Sequence, residues 1–301
     1  AEVTVGAVQA VSRTQSLDAA PAFRKRPGVF RRFCRNPFAV ASLVYLVVII
    51  LAAILAQVIS PYSPDRIILG QQLQGPSPAH WMGTDESGRD EFTRILYGAR
   101  ISLTIGVVAM LLSVTLGTIV GALAGFFGGA VDALAMRLTD AMLSVPIFFL
   151  LLTVLAVFGS SVPTIIIAIG LSSWMTAARV VRSEVLRALN LDYVTAARAL
   201  GARNRRVILR YLVPTAIPSM LVASTIGVGQ AILTESALSY LGVGVQPPMA
   251  SWGNMLSNAQ SYFFPAPMLA MWPGVMILLT VLSFNFVGDA ARDAFSPYQT
   301  K

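Results

Sequence analysis

Charge is scarce in this chain. Asp, Glu, Lys and Arg supply 12% of its 301 residues, against roughly 25% in a soluble domain. Lysine is scarcer still. The two lysines, Lys25 and Lys301, both lie outside any glycine-rich loop, so the chain lacks the phosphate-binding loop whose lysine must reach a nucleotide. If ATP supplies energy here, another polypeptide binds it. A single cysteine, Cys34, excludes an internal disulfide. A single histidine, His80, and scattered carboxylates form no metal-ligand cluster. No internal repeat is evident, which counts against transporters built from inverted repeats. The alternating pattern of a membrane barrel is also missing.

What the chain has in quantity is apolar length. It is 55% hydrophobic, with mean hydropathy +0.70. Apolar runs near Val40–Ile59, Ile101–Phe127, Ala133–Phe158, Pro163–Val181, Ala216–Leu238 and Leu269–Val287 approach or exceed the roughly 20 residues that cross a bilayer as a helix. Lipid offers no partner to backbone polar groups, so helices are the expected spanning form. The expected fold class is therefore all-α integral membrane, with about six transmembrane helices.

The net charge of +8 reads as topology rather than nucleic-acid binding. Arg24, Lys25, Arg26, Arg31, Arg32 and Arg35 precede the first run. Arg179, Arg182, Arg187, Arg198, Arg203, Arg205, Arg206 and Arg210 lie between the fourth and fifth. An even number of crossings separates the two clusters, and the positive-inside rule puts both in the cytoplasm. Both termini are then cytoplasmic, while segments 60–100 and 239–268 face outward. The polar start, residues 1–21, reads as a cytoplasmic tail rather than a signal peptide, because the basic stretch and first apolar run come later.

The polar island after the fourth run is the first candidate site. Asp192 is placed to cap a helix and Gly201 to end it. Tyr193, Ala196, Ala197 and Leu200 then share one narrow face made largely of small residues, which a partner could approach closely. A second helix is expected over Asn204–Tyr211, broken by Pro214. The pattern equally suits an amphipathic hairpin lying on the membrane surface.

Four other groups carry polar or packing signals. Asp85, Arg89 and Asp90 suit a short helix before the second span, either shaping an external vestibule or satisfied locally. Glu235, in an apolar stretch, either lines a pathway or is a buried structural partner. Arg137 and Asp140, three apart, can pair on one helix face. Gly117, Gly121 and Gly125 form a smooth stripe for close helix packing, within the chain or against a partner. Pro146 and Pro163 are expected to kink or start spans.

The island resembles the EAA loop of ABC importer permeases. Thr195-Ala196-Ala197 stands for Glu-Ala-Ala, followed by Gly201, Ile208 and Val213-Pro214. Thr195 for the acidic residue and Val213 before the proline depart from the pattern; the small-residue face and the glycine are kept. Further segments resemble the second permease subunit of dipeptide and oligopeptide importers. They are Gly83 to Asp90, Tyr97 to Leu103, Ile232 to Gly242, Gln246-Pro247-Pro248, Ser251 to Leu256 and Gly288 to Asp293.

The resemblance spans about Asn36 to Pro297 and implies a type I ABC importer permease. Its partners would be a second, homologous permease, two cytoplasmic ATPase subunits carrying ATP and Mg, and an extracytoplasmic peptide-binding protein. The chain itself would bind no cofactor and catalyse no reaction. It would sit in a prokaryotic plasma membrane. Three regions follow: a cytoplasmic tail, 1–36; the first transmembrane helix and an extracytoplasmic segment, 37–100; and the permease core, 101–301, with the ATPase-coupling hairpin at 192–212. A proton-coupled secondary transporter and a membrane receptor or scaffold are the alternatives.

Overall fold

The computed structural model describes residues 33–295. The basic cluster from Arg24 to Arg32, most of the N-terminal tail, and the C-terminal end with Pro297 lie outside the described residues.

Helix α1 (Pro37–Ile54) starts at Asn36, whose side chain accepts from the N–H groups of Phe38 and Ala39. Pro37 occupies its first turn, where a missing N–H costs nothing. A short helix, α2 (Ala56–Ile59), follows. Helix α3 (Glu91–Phe127) has 37 residues, about 55 Å at 1.5 Å per residue, and so exceeds the roughly 30 Å hydrocarbon core. The second apolar run was expected to begin at Ile101, with a separate short helix before it. Instead one helix runs through, capped by Asp90. Arg94 and Arg100 lower the local hydropathy but are good helix formers.

The third span is not straight. Helices α4 (Gly129–Ser144) and α5 (Ile147–Phe158) meet at a bend of 83°. Pro146 disfavours a helical residue before it, and Val145 is extended. Helix α6 (Val162–Ala188) begins under a Ser161 cap. A helical hairpin comprises α7 (Asp192–Ala199) and α8 (Asn204–Val207). A wide π turn, Ile208–Leu212, then leads directly into α9 (Val213–Tyr240). Pro214 therefore does not break the chain. The wider turn lies just where its ring would meet the carbonyl four residues back.

Beyond α9, α10 (Trp252–Ala259) is held by a capping box between Ser251 and Asn254, and α11 (Met268–Phe295) closes the bundle. Five of these helices are long and apolar enough to span a membrane, and the bent pair raises the number to six.

Four apolar clusters make up the core of the described residues, and three of them join most of the helices. One joins α1, α3, α9, α10 and α11 through Leu46, Ile95, Ile232, Trp252 and Ile277. A second joins α3, α5, α6 and α9 through Ile105, Leu151, Ile165 and Leu238. The third, at the hairpin end of the bundle, joins the hairpin to α3 and α6 through Ala122, Val181, Val194, Val207 and Leu212.

The glycine stripe lies between α3 and α6. A Cβ on Gly117 would come within 2.5 Å of Ala177 Cβ, and one on Gly125 within 2.9 Å of Val185 Cγ1. At Gly121 it would run into the Ala178 carbonyl oxygen. This is close backbone approach within the chain.

Arg137 does not take Asp140 as its partner. Arg179 of α6 donates to Asp140 at 2.5 Å, and Arg182 grips both carboxylate oxygens of Asp132. Both pairs bind the bent span to α6 and bridge helices, a geometry that spacing along one helix does not show.

Candidate functional site

The hairpin presents its small-residue face outward. Val194 is the inner anchor, fully buried with Val207 and Leu212. Tyr193 is 45% and Leu200 88% exposed, Ala196 is exposed, and Ala197 is half-buried. The tip closes as a Schellman motif. Ala202 N–H donates to the Ala197 carbonyl at 3.0 Å, Gly201 N–H donates to Arg198 at 2.9 Å, and Gly201 has φ +81°. A side chain is strained there, which is why glycine ends the helix. Asp192 is not the cap. Leu191 holds that position without a side-chain bond, and Asp192 is the first helical residue, where its charge suits the helix dipole. Tyr193 and Tyr211 lie 6.2 Å apart between ring centroids. Arg198 sits 4.9 Å over the Phe126 ring and so ties α7 to the end of α3.

The segment around residues 85–94 forms a buried polar knot. Asp85 accepts from Ser87 N–H at 2.8 Å, Arg89 N–H at 2.9 Å and Arg89 Nε at 2.6 Å. Arg94 Nε lies 3.4 Å from the same carboxylate. Asp90 caps α3 by accepting from Thr93 N–H at 2.8 Å, and its other oxygen lies 2.8 Å from His80 Nδ1. Asp85, Arg89 and Asp90 are all buried. Glu91, Arg94 and His80 belong to the same region and carried no separate signal in the sequence.

Glu235 is completely buried. It accepts from Ser102 Oγ at 3.0 Å and Ser239 Oγ at 2.7 Å. Ser102 in turn accepts from Trp252 N–H at 3.3 Å, and Trp252 Nε1 donates to the Ile95 carbonyl at 3.2 Å. One carboxyl thus links α3, α9 and the start of α10. The serines and Trp252 lie too far from it in sequence, or in too common a residue type, to have been found by spacing.

These features define a multi-pass helical membrane protein with a hairpin that, among the described residues, is anchored on one side and exposed on the other. Residues 117–301 match the family model of the binding-protein-dependent transport system inner membrane component, and the chain belongs to that family. Residues 28–76 match the N-terminal transmembrane domain of oligopeptide transport permease C.

The chain is 39% identical over 269 residues to the glutathione transport system permease protein GsiD of Pectobacterium atrosepticum, covering 89% of each. It is 41% identical over 266 residues to the oligopeptide transport system permease protein OppC of Bacillus subtilis, covering 88% of this chain and 87% of that one. A solved structure of the MetNI methionine ABC transporter superposes with a TM-score of 0.56 at 18% identity, covering 67% of this chain and 97% of that one. The fold is that of ABC importer permeases.

Proposed function

We propose that this chain is one of two homologous permeases in an ATP-driven peptide importer of a prokaryotic plasma membrane, with both termini cytoplasmic. Two cytoplasmic ATPase subunits carry the ATP and Mg, an extracytoplasmic binding protein delivers peptide, and this chain performs no covalent chemistry. The observation that carries the coupling role is the hairpin. Its inner side is packed into the bundle through Val194, Val207 and Leu212, and its outer face of Tyr193, Ala196 and Leu200 is exposed. A knob fixed on one side and bare on the other passes rigid-body motion of a partner to α6 and α9, which it joins. ATP and the loaded binding protein each bias the same two-state bundle.

Peptide as the cargo rests on relatives whose names give oligopeptide, dipeptide or glutathione transport. Family membership leaves a self-contained secondary transporter or a receptor without support. Purification of a tagged copy in mild detergent, with mass spectrometry of what accompanies it, tests the assembly. A second permease and ATPase subunits are expected. Reproducible recovery of the folded chain alone would overturn the proposal.

A further inference from the structure

Two adjoining cavities run along the faces of α6 and α9 that look toward each other. One, of about 440 Å³, lies at membrane depth and includes Ser173, Thr176, Gln230 and Thr234 in its lining. The other, of about 490 Å³, lies toward the cytoplasm and includes Glu184 and Arg187. Val180, Ala223, Ile226 and Arg292 line both, so the two cavities share a wall.

The lining residues recur every three or four positions on each helix, at Ser173, Thr176, Val180 and Glu184 on α6 and at Ser219, Ala223, Ile226, Gln230 and Thr234 on α9. Each set is therefore one face of its helix. Gln230 and Thr176 are exposed there, within otherwise apolar spans. A carboxamide facing lipid finds no partner for its donors and acceptors, so such a residue belongs on water, substrate or another protein surface. The two faces meet at their cytoplasmic end, where Ser219 Oγ donates to Glu184 at 2.6 Å. Charge is confined to that end. Apart from Arg292, which the two cavities share, the polar side chains of the membrane-depth lining are hydroxyls and one amide, set among apolar residues.

We infer that Gln230 and Thr234 of α9, with Ser173 and Thr176 of α6, are this subunit's substrate-contacting stripe. They would bond the main-chain amides of a passing peptide rather than its charged ends or side chains. The inference rests on the peptide-importer reading. Neutral donors and acceptors match the N–H and C=O groups that every peptide repeats. They hold no fixed charge that would trap one sign of side chain or repel the other. A path so lined serves peptides of varied sequence and leaves discrimination to other components.

The test uses the assembled complex in inside-out vesicles, with Cys34→Ser as background. Thr176→Cys, Gln230→Cys and Thr234→Cys should react with a membrane-impermeant maleimide, and the reaction should change when nucleotide is bound. Leu221→Cys, exposed on the opposite side of α9, should not react. In uptake assays Gln230→Leu and Thr234→Val should lower transport of neutral, cationic and anionic tripeptides alike, by about three- to tenfold, the value of a lost hydrogen bond. Complex recovery and basal ATP hydrolysis should be unchanged. Gln230→Glu should shift preference toward cationic tripeptides.

Failure of all three thiols to react in either nucleotide state would overturn the stripe as pathway. Labelling with undiminished uptake would overturn the peptide contact. A wild-type complex that hydrolyses ATP and moves no peptide would instead overturn the cargo assignment, and the labelling would still decide whether the stripe lines a path.

Discussion

Ser102 on α3 donates its hydroxyl hydrogen to the carboxyl of Glu235 on α9 across 3.0 Å, at a point sealed from solvent. The same serine oxygen receives the N–H of Trp252. Two spanning helices and the short helix α10 therefore share one polar junction inside an apolar cluster. Its bonds join groups of high sequence separation, so it resists separation of α3 from α9 at that level of the bundle.

Replacing Glu235 by Ala should leave the hydroxyls of Ser102 and Ser239 without their acceptor in a buried site. Each unpaired group costs about 1–3 kcal/mol. The thermal midpoint of the purified complex should fall, while Glu235→Gln, which keeps one carbonyl oxygen, should fall less. Equal midpoints for wild type and Glu235→Ala would refute the junction's role.

Gly121→Leu should prevent close approach of α3 and α6. Even a single added carbon meets the Ala178 carbonyl oxygen, a backbone atom with no freedom to swing away. Overpacking of a fixed core costs about 1–3 kcal/mol, and more where backbone must move. Recovery of assembled complex from membranes is the measurement, with Gly121→Ala expected between wild type and Leu. Full recovery of the leucine variant would contradict the packing geometry.

Asp85 holds two arginines in the buried outer knot. Asp85→Ala would leave Arg89 with only Glu86 among the described residues and deprive Arg94 of its nearest carboxylate. Removing one partner of a buried pair costs about 3–5 kcal/mol. The outer segment should then become sensitive to protease in right-side-out vesicles. Asp85→Asn, which still accepts from the Ser87 and Arg89 N–H groups, should remain partly resistant. Unchanged protection in both variants would rule out the knot as the segment's support.

The spans were legible because hydropathy averages over many residues and tolerates error at each one. Their shapes were not. An apolar run of fixed length reads alike whether straight or bent; Pro146 marked where the third span would kink or restart, but not that the turn there would reach 83°. The start of α3 was missed because arginines in its first three turns look external, while in the fold Arg94 is buried beside Asp85. Segment 239–268 carried no helix or packing signal in its sequence, while in the fold Trp252 is packed among α1, α3, α9 and α11. The hairpin was clear in outline because Gly201 has a local conformational reason to be there. Pairings such as Ser102 with Glu235, or Arg182 with Asp132, depend on which spans become neighbours, and spacing along one helix carries none of that.

The hairpin face makes the sharpest separation between folding and coupling. Leu200 and Ala196 are exposed within this chain, so Leu200→Asp and Ala196→Asp should leave the permease folded. In a docked complex either substitution buries an unpaired carboxylate against the ATPase, at several kcal/mol, or weakens docking by an equivalent amount. Transport should fall by about tenfold or more, the equivalent of 1.4 kcal/mol. ATP hydrolysis should persist without uptake, or the ATPase should be lost from the complex. Val194→Asp gives the contrast, because it puts the charge into the inner cluster and should lower recovery of the permease itself. Wild-type uptake in both Leu200→Asp and Ala196→Asp would show that this face is not where force enters the membrane domain. Loss of the folded permease in either would show that the face is bound within the chain rather than free for a partner.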